Sequence, residues 1–226
     1  MIPKQKLKTL EIGAINAQLS NSPHLQVRAI DINSRLPCVE ECNFFDVPPK
    51  QEYEVVVCSM VMNCCFDPCQ RGEMLGRLVI RAYLLILIGS YCVVSIRLLM
   101  QLQDKGLLFF ILPKRCMTTV NMENEETFLF LIKLFGFELV DPPHYTPRLI
   151  FLILRRNEGL YSAKVMKKIK QEAADWILPI RSVLKQTMGQ LSEAENALLK
   201  KYFLNKETIR DMNEFGITIP PLFLQA

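Results

Sequence analysis

Two apolar strands, one closing on a glycine and the next on an acid, constrain this chain more than any other feature. Residues 7–12 read L-K-T-L-E-I and run directly into Gly13; residues 27–31 read V-R-A-I-D and close on Asp31. Two such strand ends side by side build a pocket at the carboxyl edge of a parallel sheet. A glycine there turns the backbone sharply and lets a ligand approach it, having no Cβ. Asp31 is acceptor-only and can take both hydroxyls of a ribose. The Gly13–Asp31 interval matches the roughly 20 residues of dinucleotide sites. Those sites want three glycines, and here Gly13 stands alone. A single glycine suits a ligand without a pyrophosphate, and S-adenosylmethionine is the common one.

The rest of the chain can support such a sheet. Its 226 residues are 50% hydrophobic and 22% charged, enough for a sizeable core and against global disorder. The net charge of +4 sits in the tail: residues 1–154 carry 15 basic and 15 acidic side chains, residues 155–226 carry 12 and 8. That excess permits RNA binding without demanding it. Eight cysteines occur without a C-x-x-C, and His24 and His144 stand apart from paired cysteines, so no zinc or other metal is expected. With no secretory signal at the N-terminus, reduced, mostly buried thiols in an intracellular protein are expected.

Strands are predicted at Leu7–Ile12, Val27–Asp31, Tyr53–Ser59 and Leu107–Leu112, with a short edge strand within Val39–Phe45. The runs at Val55-Val56-Val57 and Leu107–Leu112 are those of central parallel strands covered on both faces. Pro68 opens a helix through Gln70–Arg77. Glu123–Phe135 is a second helix, capped by Gly136. Phe137–Val140 and Leu149–Leu154 flank a Pro-rich turn as an antiparallel pair. The fold class expected is α/β: a Rossmann-like three-layer sandwich over residues 7–154, in strand order 3-2-1-4-5-7-6, with only Leu149–Leu154 antiparallel. Residues 155–226 read as a helical C-terminal appendage. Val165, Ile169, Ala173 and Trp176 form one stripe opposite four lysines; Ile180, Val183, Leu184, Thr187 and Met188 form another; Ser192 and Glu195 make a capping box.

Ala82–Ile96 carries no charge and is too short for an easy membrane span of about 20 residues, so no stable membrane association is expected. Residues 79–97 also read as an insert, because joining Arg77 to Leu98 restores an ordinary amphipathic helix.

Each candidate site residue has a plainer reading beside it. Glu11, Gly13 and Ala14 line the methionine end of a ligand, or merely end a strand. Asp31, with Ile32 after it, binds ribose, or caps a helix. Asn43 and Phe44 hold an adenine ring, or form a loop. Ser59 and Met60 leave the fourth strand facing ligand and acceptor, or belong to the core. Asn63 is the one polar candidate to touch an acceptor base. Arg71 and Glu73 read as surface helix residues. Asp141-Pro142-Pro143-His144-Tyr145 resembles the D-P-P-Y signature of amino-methylating enzymes, but it lies in the late hairpin and reads as a turn.

Several blocks together resemble one family. Leu10–Ile15 (L-E-I-G-A-I), Ala29–Ser34 (A-I-D-I-N-S), Val55–Asn63 (V-V-V-C-S-M-V-M-N), Gln70–Leu75 (Q-R-G-E-M-L) and Gly106–Pro113 (G-L-L-F-F-I-L-P) are similar, in order, to the fungal large-subunit (25S) ribosomal RNA adenine-N1 methyltransferases. The resemblance covers roughly residues 7–154. It implies a class I methyltransferase fold, S-adenosylmethionine as donor, ribosomal RNA as partner, and work in the nucleus, at the nucleolus. Gly13 and Asp31 fall on the family's cofactor positions. Three departures stand out: the segment that family members carry before the first strand is missing, Asn43 replaces an acid, and the apolar insert splits a helix. The missing segment is expected to weaken activity. Animal relatives resemble S-adenosylmethionine sensors that bind without evident catalysis, and a non-catalytic sensor is the alternative function.

Overall fold

In a computed structural model of the chain, residues 6–48, 53–81, 106–117, 125–157, 177–204 and 217–224 are described. The strands are β1 (Leu7–Ile12), β2 (Leu25–Asp31), β3 (Glu40–Glu41), β4 (Val55–Ser59), β5 (Leu107–Pro113), β6 (Phe137–Leu139), β7 (His144–Tyr145) and β8 (Leu149–Arg156). They form one sheet in the order β3-β2-β1-β4-β5-β8-β6, with β7 paired to β8. β1 to β5 are parallel, and β8 runs antiparallel to both β5 and β6. The expected order and the single reversed strand of the main path are therefore met. The Pro-rich turn holds one more short pairing than expected, His144 and Tyr145 against Phe151 and Ile150.

β1 lies between β2 and β4, which places Gly13 and Asp31 on one edge. Leu10, Ile12, Ile30, Val56, Cys58, Leu108 and Phe110 are 0–2% exposed. Arg28 on β2 grips Glu40 on β3 at 2.8 and 2.7 Å, a paired contact that fixes the short edge strand.

Helix α1 (Pro68–Arg81) begins on an Asp67 cap, whose Oδ1 accepts from Cys69 N at 2.8 Å, with proline in the first turn. Helix α2 (Glu125–Leu134) ends at Gly136, at φ 79°, whose N–H donates to Lys133 O. Between β1 and β4 the described connections hold only the short 3-10 turns Leu19–Asn21 and Phe44–Asp46, because these links are short and broken by turn residues. All described α-helices follow β4.

In the tail, α3 (Ile177–Met188) is followed by α4 (Glu193–Leu199), a π-helical stretch (Lys200–Leu204) and α5 (Pro221–Leu224). The capping box forms as expected, with Glu195 N donating to Ser192 Oγ and Ser192 N to Glu195 Oε2. Ile180, Val183, Leu184, Phe203 and Phe223 share one continuous core with Leu10 and Phe110 of the sheet. Gly76 of α1 permits this: a Cβ there would stand 2.8 Å from both Ile180 and Phe223. The stripe Val165–Trp176 and its lysines, and the apolar segment beyond Arg81, lie outside the described residues. α1 itself continues past Arg77 into the start of that segment. No described helix is long and apolar enough to cross a membrane.

Candidate cofactor and acceptor site

The carboxyl ends of β1, β2 and β4 bring most of the candidates together. Gly13 has φ 77°, a left-handed backbone that disfavours any side chain. Its N–H and that of Ala14 both donate to Ile30 O, at 2.9 and 3.1 Å, tying the turn to β2. The space a Gly13 Cβ would take is already filled from the protein side, by Val61 Cγ2 and, at 3.1 Å, by Ser59 O. So the glycine serves the close approach of two loops. Ala14 is buried against Ala29 and Val39.

Asp31 caps no helix. Its Oδ1 accepts from Asn33 N at 2.8 Å, an Asx turn that holds the carboxylate at the strand end. Ile32 beside it is 70% exposed. Asn43 spends its side-chain oxygen on Phe45 N at 3.0 Å, and Phe44 is 4% exposed within the core. These two therefore sit differently: Asn43 borders the edge, whereas Phe44 lies beneath it.

Glu11 on β1 has a buried Oε2 with no hydrogen-bond partner, and burial raises its carboxyl above the ordinary value. A carboxylate left without a donor in a buried setting is costly unless something else supplies one. The ammonium of a bound amino acid would do so, which fits the methionine end of S-adenosylmethionine. Asn63 repeats the pattern: its Oδ1 is buried without a partner, while Nδ2 reaches only Cys64 Sγ at 3.6 Å.

The loop after β4 is held under strain. Met60 has φ 61°, rare for a residue with a side chain, and its N–H donates to Ile111 O on β5. Arg71 on α1, read from sequence as a surface residue, is 4% exposed and donates to Cys65 O at 2.8 Å and Phe66 O at 3.3 Å. It is buried because these loop carbonyls need a donor away from water. Glu73 is half-buried and bonds Arg77, one turn on, at 2.8 Å. Ile15, the last residue of the L-E-I-G-A-I block, and Phe66, which no sequence motif singles out, are 85% and 82% exposed on the same edge.

No nucleophile is prepared here. Burial pushes the Cys58 thiol up to about 12 and Cys116 up to about 11, so neither supplies a thiolate at neutral pH. The expectation of mostly buried thiols is corrected: of the seven described cysteines only those two are buried, and Cys38 and Cys64 are exposed. No group of three or more potential metal ligands occurs among the described residues.

Residues 2–176 match the model of the family described as 25S rRNA (adenine(2142)-N(1))-methyltransferase, Bmt2. The chain belongs to this family. It is an S-adenosylmethionine-dependent methyltransferase acting on N1 of an adenine in large-subunit ribosomal RNA, on an α/β fold with a mostly parallel sheet. Among solved structures it is similar to the N-methyltransferase NodS from Bradyrhizobium japonicum WM9 in complex with S-adenosyl-l-homocysteine. That match has a TM-score of 0.44 and 13% identity and covers 66% of this chain and 78% of NodS. A second structure of the same enzyme gives 0.45 and 14%, over 67% of this chain and 86% of that one. No curated protein sequence matches the chain.

Proposed function

We propose that the carboxyl edge works in two halves, one holding the methyl donor and the other the target adenine. In the cofactor half, Gly13, Ala14 and the Ser59–Met60 exit line the ligand, and Glu11 receives the ammonium of its methionine end. Asp31 takes the ribose hydroxyls, and Ile32 with Asn43 borders the adenine of the cofactor. When bound, S-adenosylmethionine supplies a sulfonium methyl, a strong electrophile with a neutral leaving thioether.

In the acceptor half, the orphan Oδ1 of Asn63 accepts from the exocyclic amine of the target adenine. That contact leaves N1 free. N1 carries a lone pair and no proton at neutral pH, so no residue has to act as a base. The work of the chain is alignment and exclusion of water. N1 lies on the Watson–Crick edge, so the adenine must be unpaired or flipped out. The exposed Phe66, its backbone clamped by Arg71, offers a face for the extruded base.

The observation that carries this reading is the pair of orphan oxygens, Glu11 Oε2 on β1 and Asn63 Oδ1 in the short turn Met62–Cys64 that follows β4. Both lack a donor; an ammonium suits the carboxylate and an exocyclic amine suits the amide oxygen. The cellular setting that follows is the nucleolus, where ribosomal RNA is made, and imaging of the tagged full chain checks it. The function is tested by incubating purified protein with S-adenosylmethionine and undermodified large-subunit ribosomal RNA, then looking for N1-methyladenosine by mass spectrometry. Cofactor binding without methylation would favour a sensor instead.

A further inference from the structure

β5 leaves the sheet beside the acceptor loop, and its exit is basic. Met60 N–H donates to Ile111 O at 3.0 Å, so Lys114 follows closely on the strand position that anchors the loop. Pro113 pairs with Leu149 at the end of the β5–β8 ladder, and Lys114 N donates to Arg148 O at 2.8 Å. This register brings Lys114, Arg115 and Arg148 together from two chain segments, all three exposed. Lys114 Nζ stands 5.7 Å from the centre of the Tyr145 ring, and Tyr145 is 42% exposed. Among the described residues, Glu125 is engaged with the Tyr145 hydroxyl, and Asp141 is exposed on the same hairpin. Residues 1–154 are balanced at 15 basic and 15 acidic side chains, so three cations meeting here are a local concentration.

We propose that Lys114, Arg115 and Arg148 hold phosphates of the substrate RNA next to the target adenine, with Tyr145 as a stacking face for a neighbouring base. The inference rests on the RNA methyltransferase reading above and assigns the surface that positions its substrate. Pulling one adenine out of a strand requires the flanking backbone to be held, and phosphate contacts do that without reading sequence. An exposed aromatic ring among cations suits RNA because unpaired bases stack on it.

The test uses the full chain with a Lys114→Ala/Arg148→Ala double variant and a separate Tyr145→Ala variant. Affinity for S-adenosylmethionine is measured by calorimetry, and affinity for an unmodified large-subunit rRNA transcript is measured over a salt series. For the double variant, cofactor affinity is expected to hold while RNA affinity falls about tenfold. The slope of log K against log salt should shrink by about 0.7–0.9 for each phosphate that is no longer neutralised. Tyr145→Ala should weaken RNA binding about fivefold or more with the slope unchanged, since stacking releases no counterions. Wild-type methylation of the transcript alongside an unaltered affinity and slope in the double variant would overturn the surface alone. Wild-type protein that binds cofactor but neither binds nor methylates the transcript would overturn the RNA reading, and the surface with it.

Discussion

Where β1 and β2 end, the backbone of one strand is bonded directly to the next: Gly13 and Ala14 both donate to Ile30 O, and Asp31 is set by a turn within its own segment. Where β4 ends, the chain leaves the sheet through a left-handed Met60. Its loop is then suspended from a guanidinium on the following helix, Arg71, which reaches the carbonyls of Cys65 and Phe66. The first region is held by local geometry and the second by a tertiary clamp. Cofactor binding should therefore respond to changes at the strand ends, and methyl transfer to changes in the clamped loop.

Gly13→Arg gives the largest expected effect. It sets a bulky side chain at φ 77° and against Val61, and no cofactor binding should be measurable by calorimetry. Gly13→Ala sharpens the cause. If the Val61 clash dominates, adding Val61→Ala restores part of the affinity and melting temperature; if the ligand itself needs the space, it restores neither.

Asp31→Ala should weaken cofactor binding by about 1–3 kcal/mol, through loss of charge-assisted hydrogen bonds to the ribose. Asp31→Asn keeps an oxygen for Asn33 N and should cost less. Equal losses in the two variants would point to the turn rather than to ribose contacts.

Glu11→Gln should lower affinity about tenfold and also change its pH dependence. Burial raises the Glu11 carboxyl above 4.5 in the folded protein. Without cofactor, this group's contribution favours folding below 4.5 and is lost as pH rises through the raised value. The ammonium of the ligand favours the carboxylate, so binding should release a proton near that value and weaken as pH falls through it. Calorimetry in buffers of different ionisation enthalpy reads the released proton, which should vanish in Glu11→Gln. An unchanged proton count would detach Glu11 from the ligand.

Legibility divides along the same line. Gly13 and Asp31 can be placed from sequence because a glycine turn and a strand-ending acid are local devices at a fixed interval. The strand order is legible for the same reason, with apolar runs at Val55–Val57 and Leu107–Leu112 marking the centre. Arg71 is not, because nothing local says that carbonyls at 65 and 66 will lack a donor. Nor is the left-handed Met60, which the packing of Val61 against Gly13 accompanies. The tail reads as an appendage because its helices are amphipathic by themselves. Only the glycines of α1 allow its close approach, since a Cβ at Gly72 would collide with Thr218 O. Phe44 reads as a pocket wall from its position, yet its ring fills the core.

The smallest effect on cofactor affinity belongs to Asn63→Ala, and it tests the division of the edge most directly. Affinity for S-adenosylmethionine and methyl transfer to undermodified large-subunit ribosomal RNA are measured on the same preparation. Affinity is predicted to stay within about twofold of wild type while transfer falls about tenfold or more, the worth of one buried hydrogen bond to the acceptor. A parallel fall in both quantities, or transfer that persists unchanged, would contradict the account.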